Sequence, residues 1–291
     1  MASLKEIKGR IASVKSTQKI TAAMKMVASA KLRKAQYQIE RFLPYENRLT
    51  DILNRFLSSA SEEFNSPLSE TREVKRVAIV VLSSNSSLCG AFNSNIIRLL
   101  AKALEKYRKL NCETAVYPIG KKVEEAVRKW VFPVEIAGSY LSLIDKPHFD
   151  GAKAIADGLI ADFLTNKVDR VELIYNHFKS TAVQVPMEEI FLPVILTDKS
   201  NGKNISTDYL IEPDRETLLN TLIPKSLRSK IYAILLDSAA AEQAARTVAM
   251  QIATDNADEI LDGLTIQFNK QRQQAITSEL LDIIGGSEAL K

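Results

Sequence analysis

Between Leu4 and Phe56, apolar side chains recur at alternating steps of three and four residues, and no other feature constrains the fold as strongly. The seam reads Leu4, Ile7, Ile11, Val14, then Ala28, Leu32, Ala35, Ile39, Phe42, then Leu49, Leu53 and Phe56, with polar residues at Gln18, Thr21, Lys25 and Glu46. Such a repeat is the mark of a coiled-coil helix. One glycine, Gly9, and one proline, Pro44, interrupt it, and Pro44 is expected to strain the helix without ending it. At the helical rise the segment would be on the order of 80 Å long. No globular domain wraps a helix of that length, so it needs a partner helix.

The C-terminal third supplies one. From Asp214 to about Ile284 there is one proline, Pro224, and one glycine, Gly263, before Gly285-Gly286, which is expected to stop the helix. Ile231 to Ala253 is rich in good helix formers, and Ala239, Ala240, Ala241, Ala244 and Ala245 would let two backbones approach closely. The seam here is less regular and fixes no register. Residues 1–41 carry ten Lys/Arg against two Glu, whereas residues 239–291 carry eight acidic against four basic side chains. A basic early helix and an acidic late one, separated by a long insertion, favour antiparallel pairing.

The middle has another rhythm. Val77 to Leu82 is a continuous apolar run, as in a strand buried on both faces. Helical patterns follow at Asn93–Lys109, Lys121–Trp130 and Gly151–Thr165, and strand patterns at Thr114–Ile119, near Val134–Ala137, at Val171–Phe178 and at Ala182–Pro186, the last with an alternative end at Leu196. Alternating strands and helices imply a mostly parallel sheet with a hairpin at one edge. The fold class is thus α/β with long terminal helices: an antiparallel two-helix coiled coil with an inserted Rossmann-like domain. The expected limits are 1–63 for the first helix, 74–206 for the α/β domain and 207–291 for the last helix.

The chemistry such a domain invites is missing. The loop Ser83-Ser-Asn-Ser-Ser-Leu-Cys-Gly-Ala-Phe-Asn93 has one glycine and no lysine, so it is neither a P-loop nor a GxGxxG turn. It reads as a polar turn packed by Leu88 and Phe92, with anion binding at a helix N-terminus as the sharper alternative. His148 and His177 are far apart and near no cysteine, which predicts no metal site. Cys89 could in principle be a nucleophile with His177 as base, but a buried thiol is the plainer reading. Two cysteines make no disulfide framework. No apolar run approaches the roughly 20 residues that span a bilayer, and the seam beginning at Leu4 argues against a disposable leader.

The basic helix admits three readings: a nucleic-acid arm, a solvated face, or docking on an acidic protein surface. Base-stacking aromatics are absent until Tyr37 and one face is already assigned to a helix, so nucleic acid is not expected. The polar breaks at Gln18, Thr21 and Lys25, with Ile20, Met24 and Val27 as an offset stripe, suggest a coil that changes register and shows different faces at different heights.

Two long segments then carry a resemblance. Ile20-Thr-Ala-Ala-Met-Lys-Met-Val-Ala-Ser-Ala-Lys-Leu-Arg-Lys-Ala-Gln36 and Ile266-Gln-Phe-Asn-Lys-Gln-Arg-Gln-Gln-Ala-Ile-Thr-Ser-Glu-Leu-Leu-Asp-Ile-Ile-Gly-Gly286 closely resemble the two signatures of the gamma subunit of F-type ATP synthases. Ala244-Ala-Arg-Thr-Val-Ala-Met250 and Thr254-Asp-Asn-Ala257 match as well. The resemblance implies a central-stalk rotor, itself without a catalytic site or cofactor. It would couple rotation of a membrane c ring to nucleotide turnover at beta subunits, with alpha, beta and epsilon as partners. Membrane association would be indirect, on the cytoplasmic side of a bacterial inner membrane. Met24 and Lys25 match positions that face the acidic lever of beta; Arg272 and Gln273 match the pair engaging its catch loop, with Thr277 and Glu279 nearby. Leu280, Leu281, Ile283 and Ile284 match an apolar tip turning in a sleeve, and Tyr209 and Glu212 match foot positions near epsilon and the c ring. From spacing alone, Met24 would be seam packing and Arg272 half of a surface ion pair. Asn85, Ser86 and Ser87 replace the Asp and extra Gly usual in the family loop. No cysteine lies between Ile190 and Tyr209, so no dithiol switch is expected, and activity should not respond to dithiothreitol. The competing readings are a stand-alone coiled coil with an anion- or nucleotide-binding α/β domain, and a basic coiled coil on nucleic acid.

Overall fold

The computed structural model describes residues 3–58, 66–130, 135–138, 140–194 and 214–289, with the side chains of 54–58, 215–216 and 288–289 left aside. Two compact units emerge, one of residues 1–28 with 247–291 and one of residues 29–246. Both long helices, α1 (Leu4–Ser58) and α6 (Arg215–Ala289), contribute to each.

In the first unit α1 and α6 pair antiparallel. Gln18 Nε2 donates to Asp258 Oδ1 at 2.6 Å, the Thr21 and Thr254 hydroxyls meet at 2.9 Å, and Lys25 Nζ donates to Gln251 Oε1. Each step of three or four along α1 is answered by a like step backward along α6. The register left open by the sequence is therefore Met250, Thr254, Ala257, Leu261, Leu264, Phe268, Gln271 and Ala275, all buried or half-buried. The expected register change does not occur. Seam positions 18, 21 and 25 keep facing the partner helix and change only from apolar packing to hydrogen bonding, while Ile20 and Val27 remain 57% exposed. Gly285-Gly286 does not end α6 either, which continues to Ala289. Glycine costs about 1 kcal/mol in a helix, a penalty rather than a prohibition.

The second unit is a three-layer α/β/α arrangement. The strands are β1 (Arg76–Leu82), β2 (Glu113–Ile119), β3 (Glu135–Ile136), β4 (Arg170–Phe178) and β5 (Gln184–Leu192), in the order β3-β2-β1-β4-β5. All neighbours are parallel except β4 and β5, the hairpin at one edge. Pro186 is tolerated within β5 because that strand has the sheet on one side only. Helices α2 (Phe92–Lys109) and α3 (Lys121–Val127) cover one face, with Ile79, Ile96, Leu100 and Val123 at the centre of that core. The short α4 (Leu141–Asp145), which no sequence pattern announced, lies with α5 (Phe149–Leu164) and the first half of α6 on the other face, around Val80, Leu159, Phe163, Leu173 and Ile231. Asp214 accepts from Thr217 N–H at 2.8 Å and so starts α6 as an N-cap. Pro44 and Pro224 both lie within helices. On α6, Ala240 and Ala244 pack on Leu32 and Ala35 of α1, whereas Ala241 and Ala245 pack on Cys89 and Phe92. The small residues thus serve two faces rather than one.

Gly120 joins β2 to α3 with φ 115°, and a Cβ there would overlap the carbonyl oxygen of Ser83. Backbone cannot yield as a side-chain tip can. Gly120→Ala should therefore destabilise the chain by roughly 3 kcal/mol, read as a lowered denaturation midpoint.

Candidate partner-binding surface

In a doubly wound sheet a nucleotide would lie in the crevice beyond the carboxyl ends of the strands, where the winding reverses. Here that place, at the ends of β1 and β4, is filled. Asn176 of β4 is buried and donates to Phe92 O at 3.1 Å. Cys89 and Phe92 are covered by Ala241 and Ala245. The buried serines of the loop, Ser83 and Ser84, are consumed internally, while Ser86 and Ser87 are exposed and take part through their backbone carbonyls. Ser84 N–H donates to Asn93 Oδ1 at 3.1 Å, Ser84 Oγ donates to Ser86 O at 2.6 Å, and Val123 N–H donates to Ser83 Oγ at 3.0 Å. The turn is packed by Phe92, as expected, but not by Leu88, which is 58% exposed at φ 67°. A leucine in that left-handed conformation costs about 1–2 kcal/mol, so the surrounding bonds must hold it.

One of those bonds comes from α6. Arg246 donates through Nη1 to Ser87 O at 2.6 Å and through Nη2 to Glu242 Oε1 at 2.7 Å, with both side chains almost wholly buried. Burial pushes the Glu242 carboxyl up, and the Arg246 guanidinium pulls against that. The sequence signal was a Glu and an Arg four residues apart in an otherwise small, apolar stretch.

No Cys–His pair exists among the described residues. Burial raises the Cys89 thiol above its usual range, and its polar neighbours are Ser84, Ser86 and Asn93. His177 Nδ1 instead lies 2.7 Å from Asp237 Oδ2, and His148 Nδ1 lies 3.0 Å from Lys146 O. The described residues contain no group of three or more His, Cys, Asp or Glu placed to hold a metal.

What the chain does present is helix surface. In the first unit Met24 and Lys25 are half-buried on α1, Lys25 being tied to Gln251. Arg272, Gln273, Thr277 and Glu279 are all exposed on α6. Arg272 forms no ion pair among the described residues, so it is not the surface salt bridge that spacing suggests. The two sets stay apart: Gln251 precedes Arg272 by about 30 Å of helix. Among the described side chains Ala275 is the last half-buried one of α6, and beyond it Ile276, Leu280, Leu281, Ile283 and Ile284 are 49–68% exposed. Tyr209 and Glu212 lie outside the described residues.

A family model described as ATP synthase matches residues 3–290. A relative from Azobacteroides pseudotrichonymphae, named ATP synthase gamma chain, is 57% identical over 292 residues, covering 100% of both chains. This chain belongs to the ATP synthase gamma-chain family. The solved structures agree. The chain is similar to one from the Tetrahymena thermophila mitochondrial ATP synthase central stalk and c ring, at TM-score 0.61 and 26% identity, covering 80% of this chain and 99% of that one. It also shares the fold of a chain from the Euglena gracilis mitochondrial ATP synthase, at TM-score 0.70 and 22% identity, covering 99% and 94%. The alternatives of a free-standing nucleotide-binding coiled coil and of a nucleic-acid arm are not favoured.

Proposed function

We infer that this chain is the rotor of the central stalk, turning within alpha and beta subunits and standing with epsilon on the c ring of an ATP synthase. The observation that carries the reading is the end of α6. An apolar stripe from Ile276 to Ile284 stands exposed, with none of the described helices covering it, which calls for a surrounding partner. Arg272 and Gln273 on the same stretch serve as the latch to beta, with Thr277 and Glu279 beside them, and Met24 and Lys25 meet its acidic lever. Tyr209 and Glu212 belong to the foot. The chain carries no catalytic group. It converts rotation into chemistry by stabilising a different beta conformation at each angle, which requires differential contact energy between states. No described helix is long and apolar enough to cross a membrane. Attachment is peripheral, through the c ring, on the cytoplasmic face of a bacterial inner membrane.

The test is direct observation of rotation. With cognate alpha and beta subunits immobilised and a probe fixed to the α/β domain of this chain, ATP should turn the probe in one direction with three dwell positions per revolution. A static probe on a complex that hydrolyses ATP would overturn the rotor reading.

A further inference from the structure

We propose that the wedge between α1, the β4–β5 hairpin and α6 in the second unit is a binding site for a small amphipathic amine. A cavity of about 380 Å³ opens there, within the size range of small-molecule sites. Its floor is apolar, formed by Ile39 and Phe42 of α1 and Ile234 of α6. Phe42 is held rigid by an edge-on contact with Tyr232 at 4.9 Å between ring centres.

The charge on its rim is uneven. Lys230 Nζ is already committed to Glu189 Oε1 at 2.6 Å. Asp237 is committed twice, to the His177 ring nitrogen at 2.7 Å and to Phe178 N–H at 3.0 Å. That leaves Glu46. It is half-buried and meets no cation within ion-pair distance among the described residues. Its hydrogen bond from the Thr50 hydroxyl is long, at 3.5 Å. Burial raises its carboxyl above the usual range, and the charge of Lys230 across the cavity offsets that only in part. A half-buried carboxylate beside an apolar floor is complementary to an ammonium group on an apolar body: the cation pairs with Glu46 while the body covers Phe42 and Ile234. An anion would meet a rim with three carboxylates, Glu46, Glu189 and Asp237, against the one ammonium of Lys230, and a neutral molecule of the same shape would leave Glu46 without an ion pair.

Isothermal titration of the full chain with 4-phenylbutylamine tests this, with 4-phenylbutanol and 4-phenylbutyrate as neutral and anionic counterparts. The amine should bind saturably at one site, about tenfold or more tighter than the alcohol, and the carboxylate should not bind. Glu46→Gln should bring the amine down to the level of the alcohol. Ala233→Phe, which fills the cavity and keeps Glu46, should abolish binding of both, with each variant's fold checked by its melting curve. Absence of saturable amine binding, equal affinity for amine and alcohol, or amine binding unchanged in both variants would overturn the assignment.

Discussion

Arg272→Ala is expected to lower the ATPase turnover of a reconstituted alpha–beta–gamma complex by about tenfold, the rate equivalent of one charge-assisted hydrogen bond made only at certain angles. Within the isolated chain Arg272 is exposed and forms no ion pair among the described residues. The same substitution should therefore shift the stability of the free chain by no more than about 0.5 kcal/mol. That contrast separates a lost partner contact from a damaged rotor. Arg272→Lys should fall between, because lysine keeps the charge but cannot offer the two parallel N–H bonds that a carboxylate accepts from a guanidinium. Turnover unchanged in Arg272→Ala would remove this residue from the latch.

Arg246→Ala should have the larger effect on the chain itself. It strands Glu242, of which 3% is exposed, as a buried charge with no guanidinium beside it, and it frees Ser87 next to the strained Leu88. Removing one partner of a buried pair costs about 3–5 kcal/mol, measurable by urea denaturation. The pH dependence has a definite sign. Burial raises Glu242 in the folded chain, so the folded state binds its proton more tightly than the unfolded state does. Its contribution is favourable below the unfolded carboxylate range and is lost as pH rises through the raised folded value. Without Arg246 that value rises further, so the deficit relative to the parent chain should be larger at neutral pH than in mild acid. A double replacement, Glu242→Leu with Arg246→Met, should recover most of the loss, since it leaves no charge to desolvate. A deficit independent of pH would show that Glu242 does not carry the effect.

The long helices were legible because a heptad seam is a one-dimensional pattern. Every described seam position from Leu4 to Leu53 is buried or half-buried, including Gln18, Thr21, Lys25 and Glu46. What the seam could not reveal was how its polar members are satisfied, because Asp258, Thr254 and Gln251 lie more than two hundred residues away. A register change and a hydrogen-bonded layer look alike in one strand of sequence and differ only in the partner. The sheet was legible for a similar reason: runs such as Val77–Leu82 need no long-range information. The filled crevice was not, since it depends on α6 returning across the ends of β1 and β4, and the two-faced use of Ala240, Ala241, Ala244 and Ala245 follows from the same packing. Gly285-Gly286 misled because glycine marks helix ends statistically, whereas here no positive φ is required and the helix continues. The partner-contact roles proposed for Met24, Lys25, Arg272 and Gln273 rest on motif likeness alone; in the free chain their geometry is that of ordinary exposed or half-buried helix positions.

The most direct test of the rotor assignment is to assemble cognate alpha and beta subunits with and without this chain, then measure mass by light scattering and ATPase rate on the same preparations. The account predicts one copy per three alpha–beta pairs and turnover that depends on its presence. A chain that elutes alone and leaves alpha–beta activity unchanged would contradict it.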